Sequence, residues 1–301
     1  MAANPPAIGV TISGRTVDDL TVAARAARDA GVASGWASQI FGVDALTALA
    51  VVGDRVPDLA LGTGVVPTYP RHPMMLAAQA RTVAQVTGGR LHLGVGLSHQ
   101  VVIEGMLGMP WGNQLRHARE YLEILVPLLA GEPSDFAGET LTGRVTLDVP
   151  CPDPVPVLLA AMGPRMLELA ATRTQGTMTW MTGVRTIAEH VTPTITAAAE
   201  AAGRPAPRVV VSLPVAVTDD AAGARALANE LFAVYGTLPS YRAMLDREGA
   251  DGPGDVALVG TEDEVATAIG GLAAAGATEF VGAPFDNPER TLALLGAVAG
   301  S

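Results

Sequence analysis

VLLAAMGPRMLELA, residues Val157–Ala170, is the stretch from which the rest of the chain can be read. Its apolar run, Val157–Met162, has the length and composition of a buried strand. It stops at Gly163, and Pro164 opens a helical pattern carried by Met166, Leu167, Leu169 and Ala170. Proline suits the first helical position because its missing N–H would have had no partner there, and glycine admits close approach to the backbone. A strand that turns this abruptly into a helix leaves the first N–H groups of the helix pointing out of the strand end. There the helix dipole favours a phosphate or carboxylate, with Arg165 adding a fixed positive charge. On these residues alone the joint is either an anion cradle or an ordinary strand–helix connection.

Working outward, strand and helix patterns alternate along the whole chain. Strand-type runs fall at Ile8–Ser13, Ser34–Ser38, Leu59–Val66, Arg90–Gly96, Val157–Met162, Thr177–Met181, Arg208–Val217 and Glu279–Pro284. Between them, capping boxes at Thr16–Asp19 and Thr261–Glu264 and a proline at Pro73 open helices with apolar positions at helical spacing. Further helices are expected at Ala45–Val52, Arg116–Leu129, Ile187–Ala202 and around Ala221–Tyr235, and Asn287-Pro288 caps the last one. Two excursions interrupt the alternation: a hairpin pattern over Asp135–Val149 after the fourth helix, and a glycine-rich segment, Gly236–Asp255, after the seventh strand. Eight strand–helix units in 301 residues predict a single closed (β/α)8 TIM barrel spanning residues 1–301. A doubly wound open sheet would want a dinucleotide glycine motif after the first strand, where Ser13-Gly14-Arg15 offers none. Gly94-Val95-Gly96-Leu97-Ser98-His99 ends in histidine where the third glycine should stand.

Composition narrows the chemistry. The formal net charge is -11, against the basic face that nucleic-acid binding needs. All 19 basic residues are arginine. Without lysine there is no Schiff-base amine and no Walker-type phosphate loop. His72, His92, His99, His117 and His190 have no carboxylate or cysteine neighbours at ligand spacing, so no metal site is expected. No apolar run reaches the roughly 20 residues of a membrane span. The N-terminus lacks a signal-peptide pattern, and the lone Cys151 suits a reducing compartment, so a cytoplasmic location is expected. Cys151 has no basic neighbour to activate it as a nucleophile.

In a barrel the functional groups gather at the C-terminal strand ends. Here those ends carry Ser13, Ser38-Gln39, Thr63-Gly64-Val65, Gly96 to Gln100, Ala161-Met162-Gly163, Thr179 to Thr182, Pro214 and Gly282. The set holds no carboxylate pair and no metal triad. A mouth so poor in acid–base groups, beside an anion cradle, points to a cofactor that carries the reaction.

The ordered set LGTGVVPTYPRHP, TGGRLHLGVGLSH, LLAAMGPRMLELA and GTEDEVATAIGGLAAAGATEFVGAPF resembles the bacterial luciferase-like superfamily. It is closest to the actinobacterial oxidoreductase branch that uses the deazaflavin coenzyme F420, and the resemblance covers essentially the whole chain. It implies a non-proline cis peptide at Gly64-Val65, following Thr63, behind the deazaflavin ring. It implies a coenzyme phosphate on Ala161, Met162, Gly163, Pro164 and Arg165. Ser38, Gln39, Gly96, Ser98, His99 and Gln100 fall near the ring or substrate, and Thr179 and Trp180 form a wall. His99 and Gln39 are the candidate catalytic residues; His72 is either a cofactor contact or a helix-end residue, and His92 is structural. The family also implies a homodimer.

Two departures shape the expected reaction. Sugar-phosphate dehydrogenases of this superfamily carry an acid and a histidine after strand two and a carboxylate after strand four. This chain has Ser38-Gln39 and Leu97 there, so the base for alcohol oxidation is missing. Hydride transfer from reduced F420 to a C=C, C=N or C=O bond is the expected chemistry. An FMN-dependent monooxygenase and a non-catalytic ligand-binding barrel are the alternatives. Met106, Met109 and Met244 in the flanking loops suggest a small, mostly apolar substrate.

Overall fold

The alternating pattern closes on itself. In the computed structural model, which describes residues 6–150 and 153–300 and so leaves Cys151 outside, eight parallel strands form a barrel. They are β1 (Ala7–Thr11), β2 (Ser34–Ala37), β3 (Ala60–Thr63), β4 (Leu91–Gly96), β5 (Val157–Leu159), β6 (Gly176–Trp180), β7 (Arg208–Val217) and β8 (Glu279–Pro284). Each pairs with the next, and β8 returns to β1 with Ala7 opposite Glu279 and Val10 opposite Gly282. Parallel strands need crossovers, and helices supply them, which covers the outer face and explains why the strands read as continuous apolar runs.

Two buried layers result. The larger lies between strands and helices and includes Ile8, Val10, Leu61, Leu93, Leu159 and Phe280. The smaller fills the lumen with Trp36, Leu158, Met178, Val210 and Val281. Gly62 makes room for it: a β carbon there would fall 2.3 Å from the Trp36 ring.

Local signals account for many helix starts. Thr16 Oγ1 accepts from the Asp19 N–H at 3.1 Å while Asp19 accepts from the Thr16 N–H at 2.9 Å, the capping box the sequence announces. Pro73, Pro164 and Pro288 each stand at the first helical position. Three details differ from expectation. The run Leu59–Val66 is not one strand: β3 ends at Thr63, the Gly64–Val65 peptide is cis, and Val66–Pro67 then pairs with β4. The helix expected from Ile187 begins at Val184 and passes through a π-helical turn, Ile187–Val191, before Thr192–Ala201. The segment Gly236–Asp255 is helical, with Pro239–Glu248 and Pro253–Val256, and the short strand Leu258–Gly260 adds to β7.

The hairpin after the fourth helix pairs Ser134–Ala137 with Thr142–Val145. Its turn is held by Glu120, which accepts from the N–H groups of Glu139, Thr140 and Leu141 at 2.8–2.9 Å and from Thr140 Oγ1 at 2.7 Å. Burial alone would raise this carboxyl's pKa, but the hydrogen bonds outweigh it and hold the value at about 2. A folded-state value below the unfolded one contributes stability that is present above pH ~4 and is lost as pH falls towards the folded value. The stability difference between wild type and Glu120→Gln in urea unfolding should therefore be largest near neutrality and shrink between pH 5 and 2.5. A difference that stays constant over that range contradicts this account.

Candidate active site

At the end of β5 the chain leaves the barrel through Ala160–Met162 and enters the helix Pro164–Arg173 at Gly163. The first intrahelical bond runs from the Leu167 N–H to the Gly163 carbonyl at 2.9 Å. The N–H groups of Gly163, Arg165 and Met166 consequently have no acceptor among the described residues, and Arg165 forms no ion pair there. Gly163, Pro164 and Arg165 are exposed. Gly163 has an ordinary φ of -78°, and a β carbon built on it meets nothing within 4 Å. Neither backbone conformation nor protein packing requires glycine at this point.

Met162 is held from two sides. Its carbonyl accepts from His190 Nε2 at 2.7 Å, and its sulfur lies 3.5 Å from Thr182 Oγ1, which also reaches the Trp180 carbonyl at 3.1 Å. Ala161 is fixed to β6 through Thr177 Oγ1, which donates to the Ala161 carbonyl at 2.8 Å. Next along the mouth, Thr179 Oγ1 and Trp180 Nε1 are buried without a well-formed hydrogen bond among the described residues.

Across the barrel, the cis Gly64–Val65 bulge is held by the end of β2. Ser38 Oγ donates to the Gly64 carbonyl at 2.7 Å, the Gly64 N–H reaches the Ala37 carbonyl at 2.9 Å, and the Gln39 N–H reaches the Val65 carbonyl at 3.2 Å. Val65 packs over β4: a β carbon on Gly96 would lie 2.7 Å from its Cγ2. Thr63 is fully buried, exchanging hydrogen bonds at 2.8 Å with the Gly94 carbonyl and N–H, so its hydroxyl sets strand register rather than facing the mouth.

After β4, Ser98 takes a left-handed φ of +66° and turns the chain into the π-helical segment Val101–Met106. His99 faces the second excursion, its ring 5.4 Å from that of Tyr241. The contacts continue as an arc, with Tyr241 against Tyr235 at 5.2 Å, Tyr235 against Trp180 at 5.8 Å, and Trp180 against Phe232 at 5.8 Å, the last three edge-to-face. Burial lowers the His99 pKa, so the ring is neutral at pH 7, and burial raises the Tyr235 and Tyr241 phenols.

The structure thus brings Ser38, Gly64, Val65 and Gly96 together on one side of the mouth, and Met162, Gly163, Pro164, Arg165, Thr179 and Trp180 on another. Two candidates have other partners. The Gln39 side chain accepts from the Ala45 N–H at 2.7 Å and so caps a helix, and Gln100 donates to Glu104 at 2.7 Å on the surface. His72 is a helix-end residue: Nδ1 accepts from the Met74 N–H at 3.3 Å and the other ring nitrogen lies 3.1 Å from the Thr142 carbonyl. The sequence named Thr182 as a strand-end residue and His190 as a histidine without giving either a role, and did not single out Phe232. They come from distant segments, and no local motif marks them.

The profile of the luciferase-like monooxygenase family matches residues 3–279, and the chain belongs to that family. A Mycobacterium tuberculosis protein provisionally named a coenzyme F420-dependent oxidoreductase is 34% identical over 160 residues, 48% of this chain and 46% of the relative. The 5,10-methylenetetrahydromethanopterin reductase of Methanolobus tindarius is 27% identical over 286 residues, covering 84% of this chain and 86% of that one. Among solved structures, the coenzyme F420-dependent tetrahydromethanopterin reductase of Methanopyrus kandleri superposes with a TM-score of 0.83 at 20% identity, over 97% of this chain and 98% of its own.

Tyr241 packs against His99, whose pKa is lowered by burial. Replacing it with leucine should move the His99 pKa back up towards the ordinary imidazole value, read from its ring proton shifts in an NMR titration; an unmoved pKa would show that the ring is dry for another reason.

Proposed function

We propose that the chain is an oxidoreductase that binds coenzyme F420 at the barrel mouth and transfers a hydride between it and a small, mostly apolar organic substrate, reducing a C=C, C=N or C=O bond. The observation that carries this reading is the cradle after β5. Three backbone N–H groups lie there beside Arg165 without an acceptor among the described residues, in a chain whose family relatives include F420-dependent enzymes. The residues fit the group. The N–H groups of Gly163, Arg165 and Met166 and the Arg165 side chain would hold its phosphate, and the open space at Gly163 leaves room for the approach. Ser38 and the Gly64–Val65 bulge would lie against its ring, and Trp180 would close one side.

Reduced F420 supplies the hydride. The chain's own residues bind, orient and exclude water. His99, mostly neutral at pH 7, donates a hydrogen bond to a substrate oxygen or nitrogen, and its imidazolium fraction can deliver a proton. Ile40, Phe41, Val101 and Met106 expose apolar side chains beyond the ends of β2 and β4, which suits an apolar substrate.

Titrating the purified protein with F420 and, separately, with FMN tests the reading. F420 is expected to bind; binding of FMN alone points instead to flavin monooxygenase chemistry, and binding of neither leaves a non-catalytic barrel. Gly163→Val should weaken F420 binding by about tenfold, ~1.4 kcal/mol, while leaving the unfolding midpoint unchanged, because its side chain meets the ligand and not the protein. Unchanged affinity would remove the phosphate from this cradle. In the reductive reaction, kcat should rise as pH falls through the lowered His99 value, since the proton-delivering form accumulates, and His99→Ala should be slower and flat over the same range.

A further inference from the structure

We infer that His190 is a positioning residue for the anionic end of the coenzyme, because it fixes the direction in which the Gly163 N–H points. This rests on the reading of the cradle as the phosphate site. His190 Nε2 lies 2.7 Å from the Met162 carbonyl. A carbonyl oxygen only accepts, so Nε2 carries a proton and donates it, which settles the tautomer of the neutral ring. The 162–163 peptide is trans, the Gly64–Val65 bond being the cis one among the described residues. In a trans peptide the C=O and N–H vectors are opposed across a rigid plane. Holding the carbonyl on the His190 side therefore turns the Gly163 N–H to the other side, beside the free N–H groups of Arg165 and Met166.

Without that hold, no hydrogen bond among the described residues fixes the orientation of the 162–163 plane on the carbonyl side. Among the described residues, the other hydrogen bond to Met162 is through its sulfur, 3.5 Å from Thr182 Oγ1. A rotated plane would present a carbonyl oxygen to a phosphate, replacing an attraction by a repulsion. His190 reaches its position from the π-helical turn Ile187–Val191, an irregularity that alters the angular position of side chains within the helix after β6.

The test compares F420 with its phosphate-free deazaflavin core, each titrated into the apoprotein. In wild type the phosphate should confer a clear affinity advantage. His190→Ala should reduce that advantage by about tenfold while leaving affinity for the phosphate-free core and the unfolding midpoint within about twofold and a few degrees of wild type. His190→Gln places an amide N–H at the position of Nε2 and should restore the advantage. An unchanged advantage in His190→Ala, an equal loss of affinity for both ligands, or a Gln variant no better than Ala would each overturn the assignment. Failure of wild type to bind either ligand would overturn the reading of the cradle itself, and that result is visible before any variant is made.

Discussion

Everything at the mouth is placed by what happens at the opposite end of the lumen, around the Glu279 carboxylate. One of its oxygens accepts from Ser34 Oγ at 2.6 Å and Trp36 Nε1 at 3.1 Å, and the other from Arg208 Nη2 at 2.7 Å. Arg208 also donates to His92 Nδ1 at 2.9 Å, and burial with the adjacent guanidinium lowers that imidazole's pKa. Side chains from β2, β4, β7 and β8 thus meet at one charge. Ser34, Arg208 and Glu279 are each the first residue of their strand, so the network lies at the N-terminal end of the barrel. A buried ion pair adds little net stability, since desolvation offsets most of its attraction, but breaking one is costly. A one-residue slip of any of these strands would turn its side chain out of the lumen and leave buried donors without acceptors. With register set there, which residues emerge at the C-terminal ends is no longer free.

How far the chain could be read in advance follows the range of the interactions involved. Thr16–Asp19 and Pro164 are legible because a cap is satisfied within four residues of itself. The break after Thr63 is not, because the bulge at Gly64–Val65 is held by Ser38, Ala37 and Gln39 from another strand; only the family resemblance located it. Gly249 and Gly252 made their segment look irregular, yet they are helix punctuation: Gly249, at φ +74°, closes Pro239–Glu248, and Gly252 opens Pro253–Val256. Gln39 shows the remaining limit. Its position at a strand end suggested chemistry, but an amide can equally serve a backbone N–H, and which partner it takes depends on where Ala45 lies.

Range matters equally on the aromatic side of the mouth. Tyr241 belongs to the inserted segment and Tyr235 stands just before it, and an insertion can form a reliable wall only if it is tied to the barrel. Glu248 fixes one end, accepting from the N–H groups of Arg185 and Thr186 at 3.1 and 2.8 Å and from Thr186 Oγ1 at 2.7 Å. Within the segment, Arg242 ties the helix Pro239–Glu248 to the turn that follows it, donating to the Ala250 and Asp251 carbonyls at 2.6 and 2.9 Å. Tyr241 packs against His99, and the Tyr235 and Trp180 rings continue the wall edge-to-face.

Glu248 also separates two neighbouring sites that look alike in outline. The helices after β5 and β6 both begin at a glycine, Gly163 and Gly183, and either N-terminus could attract an anion by its dipole. After β6 that place is taken by the chain's own carboxylate: a β carbon on Gly183 would fall 2.3 Å from Glu248 Cδ. After β5 the corresponding donors face open space. A ligand phosphate brought to the second position would meet a fixed negative charge, while at the first it meets Arg165. The internal carboxylate thus disfavours an anion at one strand end while Arg165 favours it at the other, in keeping with the proposed anchor at Gly163.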